Sequence, residues 1–403
     1  MIYFDNGSTS FPKAPGVGAA MAALLENAGF NINRGGYEGA YAVADMVLDT
    51  REMLCKLFDW QDPKDVCFTG NVTQSLNLIL KGFLKPGDHV VVSSMEHNAV
   101  MRPLNQLAAQ GVAFDAAQAD PDGTLPIARV EALLRPDTRL VVMTHASNIC
   151  GTILPIQAVG ALCKEKGIPF VVDAAQTAGI LPLSMKDLHA AAIAFTGHKG
   201  LLGPQGIGGM VIREDFAQQI EPLLSGGTGS VSDTEFMPHF LPDRFESGTM
   251  NLPGIAGLNA ALAYIQETGL DKIYQTEMAL CARFLAGART LKNVRIAGID
   301  GLEGRVATVS LDFTQAGLDN AMVSFQLDSE YGIMTRCGMH CAPRAHKTLG
   351  TFPQGTVRFA FGHRNTPQEV DACLEALETI LAGSGQFALS PFWRGFAPHP
   401  ARF

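Results

Sequence analysis

Ala194-Phe195-Thr196-Gly197-His198-Lys199-Gly200-Leu201-Leu202-Gly203-Pro204-Gln205-Gly206-Ile207-Gly208-Gly209 sets a lysine between a short apolar run, Ala192 to Phe195, and a turn rich in glycine. An apolar run of that length, closed by glycines and a proline, reads as a buried strand that stops abruptly. An amine at the end of such a strand is stripped of water. Its pKa falls, and its neutral form can then add to an aldehyde as a Schiff base. A surface lysine on a glycine-rich loop looks the same in isolation, so the surrounding sequence has to decide.

Working outward, apolar runs at Val66–Thr69, His89–Ser93, Arg139–Thr144, Pro169–Asp173, Ala192–Thr196 and Ile207–Arg213 alternate with helical segments. That alternation predicts βα units, an α/β class and a largely parallel sheet covered on both faces, with its chemistry at the carboxyl ends of the strands. After Gly257 the pattern changes to a long amphipathic stretch (Leu258 to Leu291), a strand at Arg305–Phe313, a helix near Asp319–Tyr331, a loop, a strand at Thr356–Phe361 and a helix from Pro367 to Leu381. The expected organisation is an N-terminal segment 1–15 near the small domain, a large α/β domain 16–257 and a small C-terminal α+β domain 258–403. The stretch Ser390–Phe403 has no clear period and receives no assignment.

A chain of 403 residues exceeds one ordinary core, and 47% hydrophobic with 17% charged residues is a globular composition. A net charge of -9, pI near 5.6 and no basic run argue against a nucleic-acid or membrane-surface partner and for a small substrate. Ile2-Tyr3-Phe4-Asp5 enters structure without a basic and apolar leader, and no apolar run approaches about 18 residues, so a cytoplasmic location is expected. The eight cysteines show neither CxxC pairs nor metal-ligand spacing, so no metal is expected and most are read as core thiols.

Several residues fall at strand ends. Thr69-Gly70-Asn71-Val72-Thr73 passes from strand to helix, leaving backbone N–H groups and the positive end of a helix dipole at the sheet edge, which suits phosphate. Asn71 or Thr73 is equally an ordinary helix cap. Asp173 ends the third apolar run after that one. It either caps the following turn or meets a cation such as a protonated pyridine nitrogen, with Gln176 within reach of a ring oxygen. His97 and Asn148 also follow strands, and an imidazole there can stack on a ring and exchange protons.

The order Thr73, His97, Asn148, Asp173, Gln176, His198-Lys199 resembles the class V aminotransferase fold of pyridoxal phosphate (PLP) enzymes, specifically the cysteine desulfurase and selenocysteine lyase branch, over nearly the whole chain. The resemblance implies fold type I, with a mostly parallel seven-stranded sheet and a small α+β domain. It implies that Lys199 carries PLP, that His198 and Thr196 bind its phosphate, and that Thr249, in Phe245-Glu246-Ser247-Gly248-Thr249, reaches the phosphate of a neighbouring subunit, hence a homodimer with shared sites. Arg34 matches a family arginine at the dimer interface near the site. Two departures stand out: Asn33-Arg34-Gly35 replaces a common His-Arg-Gly, and Val72-Thr73-Gln74 replaces Thr-Thr-Glu, leaving the backbone N–H of Val72 in place of one hydroxyl.

Arg336-Cys337-Gly338-Met339-His340-Cys341-Ala342-Pro343 is similar to the RxGxHCA loop of group II desulfurases and makes Cys341 the expected nucleophile. A thiol beside His340 in such a loop can be held partly as thiolate. Cys337 reads as a small buried residue, with a resolving thiol that forms a Cys341–Cys337 disulfide under oxidation as the alternative. Arg358, a guanidinium inside an apolar strand, needs an anion and matches the arginine that holds the amino-acid carboxylate. Together these imply conversion of L-cysteine to L-alanine with sulfur left on Cys341 as a persulfide, Lys199 and His97 handling protons, and a sulfur- or selenium-acceptor protein as a further partner. The alternatives are a selenocysteine lyase, an aminotransferase or kynureninase-like β-lyase, and a catalytically silent PLP-binding scaffold.

Overall fold

A computed structural model describes residues 1–32 and 36–383. Arg34 and the stretch Ser390–Phe403 therefore lie outside the described residues.

The main sheet has seven strands in the order Val66–Thr69, Gly208–Ile212, Ala192–Thr196, Phe170–Asp173, Thr138–Thr144, His89–Ser93, Ala113–Ala117. Only Gly208–Ile212 runs against its neighbours. These strands are apolar end to end because both faces are covered, and successive residues enter different cores. Val91, Val141 and Met143 join the core on one face, while Val90, Val92, Leu140 and Val142 join the core on the other. The edge strand Ala113–Ala117 escapes the sequence pattern because it is half-exposed and carries Asp115 at its centre.

The smaller sheet runs Arg336–Gly338, Thr356–Ala360, Thr308–Asp312, Arg295–Ala297, antiparallel throughout. Its apolar face packs with helices Leu270–Ala288, Asn320–Tyr331 and Pro367–Gly383 in a core of its own. Arg336–Gly338 falls where the sequence reads as loop. The N-terminal segment is attached to this unit: Ile2–Tyr3 pairs in parallel with Ile333–Met334, and Asn6 Nδ2 donates to the Ala360 carbonyl at 3.0 Å.

The expected amphipathic stretch Leu258–Leu291 is two helices, Leu252–Thr268 and Leu270–Ala288, broken at Gly269 with φ +86°. The first begins at the Asn251 cap and packs on helices Val17–Asn27 and Glu38–Leu57 of the large unit. The chain thus leaves the large unit after Gly269, and the boundary expected at 257/258 cuts a helix whose buried face belongs to that unit.

Candidate active site

Five strands of the large sheet end along one cleft of about 420 Å³. Thr69 leads to Asn71, Val72 and Thr73; Ser93 to His97; Thr144 to Asn148; Asp173 to Gln176; and Thr196 to His198 and Lys199. Arg358 enters the same cleft from the small sheet, so ten sequence-predicted residues line one space. Thr249 does not: it is exposed and lies outside the cleft of its own chain.

One end of the cleft is built for an anion. Helix Val72–Phe83 points its N-terminus there, and Asn71 Oδ1 caps only the Gln74 N–H at 3.1 Å. The amides of Val72 and Thr73 have no partner among the described residues, as first-turn amides do not within a helix. Thr196 Oγ1 and His198 Nδ1, on the same cleft, are buried without a hydrogen-bond partner among the described residues. Buried polar atoms are costly to leave unpaired, so these atoms and the free helix amides lining one cleft fit a phosphate.

Asp173 and Lys199 line the same cleft. Asp173 is buried, with Oδ1 accepting the Ala175 N–H at 2.9 Å. Burial pushes its carboxyl above the usual range, against the Ala175 bond and the Lys199 charge. Burial also lowers the Lys199 amine to about 8, which Asp173 partly opposes. His97 caps helix Asn98–Ala108 by accepting the Ala99 N–H on Nδ1 at 3.0 Å, so the proton of the neutral ring sits on Nε2. Burial, then the Lys199 charge, lowers His97 to about 4. An anion cradle, a primary amine with a lowered pKa and a desolvated carboxylate fit a phosphorylated pyridine aldehyde: phosphate in the cradle, aldehyde at Lys199, ring nitrogen at Asp173.

The family description "Aminotransferase class-V" matches residues 2–373. The chain belongs to the class-V aminotransferase family. Members of this family use PLP, the group that the cleft fits. A probable cysteine desulfurase of Pyrococcus abyssi is 34% identical over 388 residues, 94% of each chain. Among solved structures, the apo cysteine desulfurase of Thermococcus onnurineus NA1 superposes with a TM-score of 0.89 at 34% identity over 95% of each chain. The cysteine desulfurase CsdA of Escherichia coli, in its S-sulfonic acid form, gives 0.85 at 26% identity over 94% of each.

Within this class-V chain the thiol loop departs from the sequence expectation. His340 is buried and turned inward, its Nε2 3.1 Å from Thr356 Oγ1 and 3.2 Å from the Thr356 carbonyl. Burial drives its pKa well below the ordinary value, leaving it neutral. It is not the group beside the thiol. Arg336 is: its Nη2 lies 3.6 Å from the Sγ of exposed Cys341, where a guanidinium can balance a thiolate. Both His340 and Cys341 have left-handed backbone, φ +45° and +57°. That turn is fixed by Asn148 Nδ2 donating to the His340 carbonyl at 2.7 Å and the Asn98 N–H donating to the Cys341 carbonyl at 2.8 Å. The Asn148 amide donor is therefore engaged with the thiol loop, and Gln176 Nε2 donates to the Gly7 carbonyl at 3.1 Å. Cys337 is half-buried, and that burial pushes its thiol up to about 11.

Arg336 also faces Arg358 directly across antiparallel strands. Like charges so placed repel. Asp5 and Ser8, two residues that sequence reasoning missed, offset this. Arg358 Nη2 donates to Asp5 Oδ1 and to Ser8 Oγ, each at 2.7 Å, Nη1 donates to the Asn148 carbonyl at 2.9 Å, and Arg336 Nη1 donates to Ser8 Oγ at 3.1 Å. Arg358 Nε remains buried without a partner. The sequence reading placed segment 1–15 only near the small domain, not at the site.

Proposed function

We propose that this chain is a PLP-dependent cysteine desulfurase that converts L-cysteine and the Cys341 thiol into L-alanine and a Cys341 persulfide. Those two products account for every atom, so no oxidant is needed. The observation that carries the reading is an exposed thiol with a guanidinium 3.6 Å from its sulfur, on a turn tied to the PLP cleft.

PLP, when bound, supplies an electron sink next to the substrate Cα. Val72, Thr73, Thr196 and His198 would hold its phosphate, Lys199 its aldehyde, and Asp173 would favour a protonated ring nitrogen. Arg358, with its free Nε and with Arg336 beside it, orients the substrate carboxylate. Lys199, whose amine is poised near 8, takes the Cα proton and returns it to the product. The Cys341 thiolate attacks the substrate sulfur; the new S–S bond forms as the Cβ–S bond breaks, and its electron pair stays with the three-carbon skeleton. His97, neutral with Nε2–H available, would contribute to holding the cofactor in the cleft. With its pKa lowered to about 4, it is a poor acid at neutral pH.

The same reading makes the enzyme a cytoplasmic homodimer. Thr249 of each protomer, exposed on its own chain, completes its partner's phosphate site. An acceptor protein then takes the persulfide sulfur from exposed Cys341. No helix among the described residues is long and apolar enough to cross a membrane.

The deciding assay is anaerobic alanine formation from L-cysteine and from L-selenocysteine, with Cys341 intact and with Cys341→Ala. Loss of the cysteine reaction alone supports the proposal. Full cysteine turnover by Cys341→Ala refutes it, and selenocysteine turnover that dominates and survives the substitution makes the enzyme a selenocysteine lyase.

A further inference from the structure

The peptide that joins His198 to Lys199 is gripped from behind by the N-terminal segment. The His198 carbonyl accepts from the Ser10 N–H at 2.8 Å, Thr9 Oγ1 at 3.1 Å, Ser10 Oγ at 3.2 Å and Lys13 Nζ at 3.1 Å. Four donors crowd an oxygen that has two lone pairs. Lys13 Nζ also donates to Thr9 Oγ1 at 3.0 Å and Ser10 Oγ at 3.3 Å, so its three protons all meet neutral oxygens. The arrangement is directional: each hydroxyl accepts from the ammonium and donates to the carbonyl.

No carboxylate among the described residues forms an ion pair with Lys13. A half-buried ammonium without a counter-ion is unfavourable, and burial alone lowers this one to about 8. Its charge is nevertheless felt at His198, whose imidazole is depressed mainly by burial, next by the Lys199 charge and last by Lys13. Thr196 Oγ1 and His198 Nδ1, buried on the same cleft, have no partner among the described residues. An anion bound there would satisfy both atoms and would sit against a residue whose backbone carbonyl Lys13 holds.

We propose that Lys13 is a positioning residue of the cofactor site, which fixes the His198–Lys199 peptide through the His198 carbonyl and lends its charge to the phosphate group held by Thr196 and His198. The inference rests on reading that corner as a phosphate site. A guanidinium can replace the ammonium in both parts of the role; an uncharged side chain cannot.

The test uses the cofactor-free full chain with inorganic phosphate as probe at pH 7, followed by calorimetry, and then a PLP titration followed by absorbance. Lys13→Met is expected to weaken both affinities about tenfold, since it removes a charge-assisted hydrogen bond that fixes the His198 peptide and one positive charge near the site, and Lys13→Arg to recover most of the loss. The pH at which the lysine–cofactor absorbance band titrates should also move in Lys13→Met and return in Lys13→Arg, which a general loss of folding would not produce. Where Lys13→Met does not fold, Lys13→Gln, neutral but still a donor, carries the same comparison. If Lys13→Met binds phosphate and PLP as the native chain does while His198→Ala binds both weakly, the role of Lys13 is overturned and the phosphate site stands. If His198→Ala is also unchanged, the phosphate reading falls and takes the inference with it.

Discussion

Glu96 lies beneath the site, fully buried, and Glu96→Gln should change the pH dependence of stability in a calculable way. Its Oε1 accepts the Ser93 hydroxyl at 2.5 Å and the Thr144 N–H at 3.0 Å. Burial pushes the carboxyl from its ordinary 4.5 up to about 8, against those hydrogen bonds and with a smaller push from Asp173. The folded protein therefore holds this proton when the unfolded chain has already lost it, and stability must fall as pH rises from about 4.5 to about 8. Each pH unit is worth about 1.4 kcal/mol, so between pH 6.5 and pH 9 Glu96 removes about 2 kcal/mol. The buried histidines, lowered to about 4, act below this window, and Lys199 and Glu277 act alike in both proteins. The assay is urea unfolding of the cofactor-free chain at both pH values, followed by circular dichroism. Glu96→Gln should gain about 2 kcal/mol on the native protein between pH 6.5 and pH 9. Parallel behaviour of the two proteins would refute a neutral Glu96. The functional consequence is that a neutral Glu96 places no second negative charge beside Asp173, which lines the cleft.

Two further substitutions probe the thiol loop. Asn148→Ala removes the donor to the buried His340 carbonyl, so stability should fall by about 1–3 kcal/mol in thermal unfolding, and alanine formation should slow more than PLP affinity falls; unchanged turnover would separate Asn148 from the loop. Gly355→Ala places a Cβ 2.4 Å from the Gly338 carbonyl oxygen at a residue with φ +72°, so it should cost about 3 kcal/mol or more and disturb the Arg336–Gly338 strand that delivers the cysteine; an unaltered melting temperature would contradict that packing.

The parts of the site that the sequence announced share one physical origin. A parallel strand buried on both faces must be a continuous apolar run, so its carboxyl end is visible as the point where the run stops, and Thr196, Asp173, His97 and Asn148 follow such points. Helix Val72–Phe83 was visible for the same reason, its start marked by Asn71. Edge strand Ala113–Ala117 was not, because an edge need not be apolar.

The thiol's neighbour was illegible for a different reason. Sequence adjacency suggested His340 as the partner of Cys341, but consecutive left-handed residues bury His340 and turn the sulfur toward Arg336, and no periodicity encodes such a turn. Arg336 and Arg358 are drawn together by strand register, and their repulsion is relieved by Asp5 and Ser8, which lie more than 300 positions away in sequence, |i−j| 353 from Arg358 for Asp5 and 328 from Arg336 for Ser8. Two guanidiniums that face each other, with the Asp5 carboxylate bonded to Arg358 and the neutral Ser8 hydroxyl bonded to both, retain a net positive charge. That surplus charge, together with a buried Arg358 Nε that has no partner among the described residues, is what supports the proposed binding of an amino-acid α-carboxylate there.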